Sequence, residues 1–205
     1  LKKPLFAYSG GCAGCGELTY LVTLSRMFDN ALIFNATGCS SIYGFGYPCT
    51  PYQKGFNGFG LTWANSLFED NAEFGYGAAV SYLQQRRELY KKIVKIRDEY
   101  CKTHKNDKLS ELLNTLTDVE TWDDARQTRD IYTRLCDEDR DHTIVPASML
   151  SQIPLSQLFL FGGDGWAYDI GFGGLDHVLA ECCQSYAEDV PNIVIVVVDS
   201  QLYSN

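Results

Sequence analysis

The sequence predicts an α/β fold, a mostly parallel sheet flanked by helices, and three observations carry that reading. The apolar run Leu158-Phe159-Leu160-Phe161 stops at the turn Gly162-Gly163-Asp164-Gly165, a helical pattern follows from about Leu175, and Ile193 to Val198 is a continuous β-branched run ending in Asp199. Strand, glycine-rich turn, helix and strand form a βαβ unit, and unbroken apolar strands are those a parallel sheet covers on both faces. Ligands of open α/β sheets bind beyond the carboxyl ends of the strands, so Asp164 and the segment after Asp199 are expected side by side on one edge.

The remaining elements follow from composition along the chain. Residues 1 to about 82 are rich in Gly, aromatics and Cys, with short runs such as Ala31-Leu32-Ile33-Phe34 that suit buried strands between loops. From about 72 to 142 charged stretches such as Gln84-Gln85-Arg86-Arg87-Glu88-Leu89-Tyr90-Lys91-Lys92-Ile93 carry apolar residues at helical spacing and read as two to four exposed helices. The segment from about 84 to 142 is expected to be a charged helical insertion in a single domain, since 205 residues with 45% hydrophobic content suffice for one core.

The net charge of -9 works against a nucleic-acid surface and against anionic lipid headgroups. No run of about 18 apolar residues is present and no signal-like segment follows Leu1-Lys2-Lys3-Pro4, so the sequence predicts a soluble, cytoplasmic protein, or an organellar one in a eukaryote. Eight cysteines in such a setting read first as metal or redox ligands. The chain begins without Met and stops just after a strand candidate, which predicts a fragment of a longer polypeptide.

Two constellations carry chemistry. Asp164, in a glycine turn after a strand, can reach a hard cation while backbone N–H groups approach phosphate oxygens; Ser200, with carbonyls beside it, can complete an oxygen shell for Mg²⁺. The same turn, taken alone, is also an ordinary tight turn. Ser9-Gly10-Gly11-Cys12-Ala13-Gly14-Cys15-Gly16-Glu17 sets two thiols at C-x-x-C spacing, and Cys39 follows in Asn35-Ala36-Thr37-Gly38-Cys39-Ser40-Ser41. Spacing leaves three options open: a zinc site, a thioredoxin-like dithiol, or an iron–sulfur cluster with one ligand elsewhere.

The string from Gly162 to His177 resembles the thiamine diphosphate motif of the pyruvate:ferredoxin (flavodoxin) oxidoreductases, and Asp199-Ser200-Gln201-Leu202-Tyr203-Ser204-Asn205 is similar to its second half. Cys-x-x-Cys-Gly-Glu at 12–17, the block at 35–41 and the block from Trp63 to Gly75 also look like that family, the last with no chemical task assigned. The chain departs from the pattern at Ser200, where the family usually has threonine, and in a longer stretch from Glu181 to Pro191.

The resemblance implies the diphosphate and Mg²⁺ side of a thiamine diphosphate-binding fold. By it, Mg²⁺ is held by Asp164, Ser200 and the Leu202 carbonyl; Glu17, Cys39, Gly163, Asp164, Gly165, Trp166, Ser200, Gln201, Leu202, Tyr203, Ser204 and Asn205 contact the cofactor; and the Asn205 amide acts near the reacting carbonyl. Cys12, Cys15 and Cys39 are implied ligands of a [4Fe–4S] cluster whose fourth ligand lies beyond Asn205. The implied activity is CoA-dependent oxidative decarboxylation of pyruvate, with electrons passed to ferredoxin or flavodoxin. Partners are then the remaining domains of the polypeptide, in a homodimer of the full chain, with no nucleic acid and no membrane. Because the family's activating glutamate comes from another domain, the isolated fragment is expected to be inactive.

Within the class the alternatives are another 2-oxoacid oxidoreductase or a pyruvate:NADP⁺ oxidoreductase; from a different class, a zinc-stabilised interaction module. Glu17 also reads as a helix first-turn acid, and Asn205 as a polar turn residue. Cys49, Cys101, Cys136, Cys182 and Cys183 are expected to be thiols outside any site, His104 and His142 to be solvated on charged helices, and His177 to pack on its helix.

Overall fold

The computed structural model describes residues 3–44, 49–105, 107–184 and 192–201. The chain falls into two compact units, one formed by 1–80 with 157–205 and the other by 81–156.

The first unit is built on a four-stranded sheet in the order β2-β1-β3-β4, with every pairing parallel, which bears out the expected mostly parallel sheet. Its strands are β1 (Ala31–Asn35), β2 (Leu61–Asn65), β3 (Gln157–Gly163) and β4 (Ile193–Val198). The helices of this unit are α1 (Glu17–Met27), α2 (Cys39–Gly44), the start of α3 (Asn71–Thr103) and α8 (Phe172–Gln184). Central position explains burial: β1 and β3 are covered almost throughout, whereas the edge strands β2 and β4 are only partly so.

One sheet face packs Phe6, Leu21, Ile33, Tyr43, Tyr52, Phe159 and Phe161 into a core in which rings meet edge to face, as Phe28 and Phe159 do at 5.1 Å. On α3, Gly75 lies so close to Phe34 and Leu160 that a Cβ there would overlap the Leu160 side chain.

The order places a topological switch between β1 and β3: the chain leaves β1 toward β2 on one side, and β3 and β4 then fill the other. Loops that follow β1 and β3 therefore diverge and open a crevice at the carboxyl edge of the sheet.

The second unit is helical. The rest of α3 is joined there by α4 (Lys108–Leu116), α5 (Val119–Trp122), α6 (Ala125–Glu138) and α7 (Ala147–Leu150). Asp107, Asp118 and Asp124 cap α4, α5 and α6, each accepting backbone N–H bonds from the first turn. A core of Leu89, Ile93, Leu113, Leu116, Leu135 and Ile153 holds the helices together. Arg86 is buried among them, donating to the carbonyl oxygens of Trp122, Gln152 and Ile153.

Three details differ from the sequence reading. The segment Gly165–Ile170 is a π-helix and α8 begins at Phe172, ahead of the expected Leu175; Gly162 and Gly171 leave the room in which the Trp166 ring of that segment packs. His142 lies on no helix: it follows α6 with φ of 52°, and its Nδ1 is buried with no hydrogen-bond partner among the described residues. His104 follows the end of α3 and stacks on Tyr100 at 4.3 Å.

Candidate cofactor-binding site

Asn35 fixes the first wall of the crevice. Its side chain is fully buried at the end of β1 and donates to Ala36 O at 2.7 Å, Ser40 Oγ at 3.0 Å and Ser41 Oγ at 3.3 Å. These bonds hold the Ala36–Ser40 loop against the start of α2, and Gly38 takes a φ of 146° that a side chain would resist. Cys39 is thereby presented at the first residue of α2.

The second wall is the turn after β3. Gly163 pairs in register with Val198 on β4, so the segments that follow both strands emerge together. Ser200 Oγ lies 3.4 Å from Asp164 Oδ2, and Asp164 Oδ1 accepts the Gly165 N–H at 3.1 Å. The expected adjacency of Asp164 and the segment after Asp199 is present. A Cβ at Gly162 would run into the Trp166 ring and Ala36, so only glycine lets the indole close over the strand end.

A cavity of about 310 Å³ opens between these walls, lined by Glu17, Cys39, Gly163, Asp164, Gly165, Trp166 and Ser200 of the expected residues. Thr37, Gly38, Ile170 and Glu69 line it as well. Glu69 was not legible as a site residue, although it stands in the block from Trp63 to Gly75 that had no assigned task. It follows Leu67, whose φ of 65° is strained for a branched side chain, and the turn is held by a bond from Thr37 Oγ1 to Phe68 O at 3.3 Å.

Gln201 sits beyond Ser200, also with a left-handed φ, of 56°, and its N–H donates to Asp199 Oδ1 at 3.0 Å. Tyr168, on the π-helix, donates to Asp199 Oδ2 at 3.4 Å, and that carboxylate, with some desolvation, raises the phenol above its ordinary range. Leu202, Tyr203, Ser204 and Asn205 lie outside the described residues.

Glu17 is the first residue of α1, and its Oε2 accepts the Tyr43 hydroxyl at 3.0 Å. Burial, and then the Glu17 charge, push the Tyr43 phenol far above its ordinary value, so it stays a proton donor. Cys15 is close enough to add to that shift, and a Cβ at Gly10 would sit 3.4 Å from Tyr43 Cα. The loop bearing Cys12 and Cys15 thus runs beside α2, whose first residue is Cys39. Cys12 is exposed and Cys15 and Cys39 half-buried, and no disulfide joins them or the other five cysteines. Among the described residues no three His, Cys, Asp or Glu side chains are gathered to hold a metal ion.

The fit to an anionic cofactor with Mg²⁺ is good: paired hard oxygens on Asp164 and Ser200, a glycine turn open to phosphate at Gly163, and a cavity of suitable size. Among the described residues the thiols do not form a ready metal cage.

No protein-family model matches the chain. It is 45% identical over 209 residues to a "Probable pyruvate-flavodoxin oxidoreductase" of Escherichia coli strain K12, covering 100% of this chain and 16% of that protein. To a "Pyruvate:ferredoxin oxidoreductase" of Moorella thermoacetica it is 37% identical over 220 residues, covering 100% of this chain and 17% of that protein. To a "Pyruvate dehydrogenase [NADP(+)], mitochondrial" of Euglena gracilis it is 39% identical over 213 residues, covering 100% and 11%. No helix among the described residues is long and apolar enough to cross a membrane. The chain spans about one sixth of the length of the first two relatives, and over its whole length it matches that portion of the pyruvate-flavodoxin and pyruvate:ferredoxin oxidoreductases at 37–45% identity.

Proposed function

We propose that this chain is the part of a 2-oxoacid oxidoreductase, with pyruvate as substrate, that grips the diphosphate of thiamine diphosphate through Mg²⁺. The observation that supports it most is the meeting of Asp164 and Ser200 oxygens at the switch-point crevice, with Glu17 and Cys39 on the opposite wall. Bound thiamine diphosphate supplies the carbon nucleophile that makes decarboxylation of a 2-oxo acid accessible.

The chain's own work is placement. Asp164 and Ser200 offer Mg²⁺ two oxygens, with the Leu202 carbonyl proposed as a third, and Gly163 carries no Cβ to crowd an approaching phosphate. Trp166, 4% exposed, shuts water out from the base of the crevice. Gln201, Tyr203, Ser204 and Asn205 are proposed to continue the cofactor contact, Asn205 beside the reacting carbonyl. Cys12, Cys15 and Cys39 are proposed to hold three corners of a [4Fe–4S] cluster whose fourth ligand comes from elsewhere, and ferredoxin or flavodoxin to take the electrons. The names of the relatives from Euglena gracilis and Cryptosporidium parvum favour a second reading, in which NADP⁺ is the final acceptor.

The test uses the full-length enzyme. Asp164→Ala should weaken calorimetric binding of thiamine diphosphate with Mg²⁺ to the apoenzyme by about a hundredfold, the loss of a charged ligand; unchanged affinity would overturn the assignment. Iron with equimolar labile sulfide, lost in Cys12→Ala, is expected on elemental analysis, whereas zinc without sulfide would favour an interaction module. The isolated 205 residues are expected to show no turnover with pyruvate and CoA.

A further inference from the structure

We propose that Tyr43 is a positioning residue for the cofactor site: its buried hydroxyl fixes the Glu17 carboxylate on the cavity wall, so that the cofactor meets that carboxylate in one preset rotamer. The inference rests on the reading of the cavity as the thiamine diphosphate site.

Glu17 has several rotatable bonds and stands at the open start of α1, where Gly16 makes no side-chain cap. A carboxylate so placed has two ordinary uses: to bond the free N–H groups of the first turn, or to lie in solvent. It does neither. Oε2 instead accepts the hydroxyl of Tyr43, contributed by α2, and among the described residues none takes the other oxygen.

Tyr43 itself cannot follow Glu17 if that side chain moves. It is 2% exposed and its ring meets Phe6 edge to face at 6.4 Å. Phe6 is wedged in turn against Tyr52 at 5.4 Å, and Tyr52 stacks on Trp63 at 6.3 Å. Gly10 closes over its backbone from the other side, with no room to spare for more than a Cβ. The aromatic core of the first unit thus ends in one hydroxyl, and that hydroxyl holds one oxygen of a cavity-lining acid. A carboxylate fixed before the ligand arrives loses no side-chain entropy on binding it, which is how such a bond raises affinity without touching the ligand.

The experiment is a double-mutant cycle on the full-length apoenzyme with Tyr43→Phe, Glu17→Ala and the double variant. Binding of thiamine diphosphate with Mg²⁺ is read by calorimetry, and unfolding midpoints are taken without ligand. Tyr43→Phe removes one oxygen and keeps every ring contact. It should weaken binding about tenfold beside wild-type Glu17, the scale of a hydrogen bond to a charged group, and by less than about twofold in the Glu17→Ala background, the limit for additivity. Additive losses overturn the proposal, because Tyr43 then acts on the cofactor or the fold and not through Glu17. Full affinity in Tyr43→Phe with lowered affinity in Glu17→Ala also overturns it, leaving the site intact. Full affinity in both single variants removes Glu17 from the cofactor site, and the proposal falls with that assignment.

Discussion

Arg86 offers the most direct check on how the helical unit is held together. The residue is 5% exposed, and its guanidinium donates to Trp122 O at 2.8 Å, Ile153 O at 3.0 Å and Gln152 O at 3.4 Å and lies 4.4 Å from the centre of the Trp122 ring. Burial pulls its pKa down, against the opposing pull of Tyr82 and Asp123. Arg86→Met strips three carbonyls of a charged donor, about 1.5 to 3 kcal/mol each. It also relieves several kcal/mol of charge desolvation. The difference is a net loss of about 3 kcal/mol. Local opening of the unit should then be favoured roughly 150-fold. Hydrogen exchange with mass spectrometry on the full-length enzyme reads this as faster exchange confined to peptides from 81–156. Arg86→Lys, which presents a point charge in place of a fork, should lose about half as much free energy. Exchange within about threefold of wild type for Arg86→Met would refute the reasoning, since the threefold corresponds to under about 0.7 kcal/mol.

Two further outcomes follow from single side chains. Asp139, 5% exposed, accepts the N–H groups of Thr143, Ile144 and Val145 and the Thr143 hydroxyl. Burial acts to raise its pKa, but those donors outweigh it and the carboxyl lies below its ordinary range. A depressed folded pKa gives stability that is full above the unfolded value, about 3.9, and lost as pH falls through the folded one. Asp139→Asn should therefore cost about 2 kcal/mol at pH 7 in urea unfolding, with the gap to wild type closing in acid; a gap independent of pH contradicts the linkage. Gly75→Ala forces a methyl into Leu160 and Phe34 and should cost about 1 to 3 kcal/mol, read as a lowered unfolding midpoint, and a neutral result would mean that α3 can lift from the sheet freely.

Strands β1, β3 and β4 were legible because they are short unbroken apolar runs of the kind a parallel sheet buries, whereas β2, which carries Thr62 and Asn65, is not such a run and was not. Asp164 and Ser200 were legible for the same reason: each follows a readable strand, and parallel pairing brings strand ends together. Glu69 and Tyr43 were not. Glu69 reaches the cavity through a turn held by a left-handed Leu67, a conformation that no local pattern announces. Tyr43 matters through a hydroxyl meeting Glu17 from 26 residues away, and nothing in the spacing of a Tyr and a Glu encodes that meeting. The π-helix was missed because Gly165–Ile170 has neither a helical period nor a strand alternation; packing of Trp166 against Gly162 and Gly171 shapes it.

The charge of the cavity restricts how its proposed ligand can enter. Glu17, Glu69 and Asp164 all stand on its wall, and among its described lining residues there is no Lys or Arg. A diphosphate brought to such a wall meets like charge on three sides, in a chain already at -9. The Gly165 N–H is already taken by Asp164 Oδ1, and a few backbone dipoles do not balance several full negative charges held within a few ångströms. A divalent cation held by Asp164 would, because it would attract the carboxylate and the phosphate oxygens alike. On the proposed reading Mg²⁺ is therefore a condition of cofactor entry and not only a later ornament of the bound state, and Asp164 is the residue at which that condition is set.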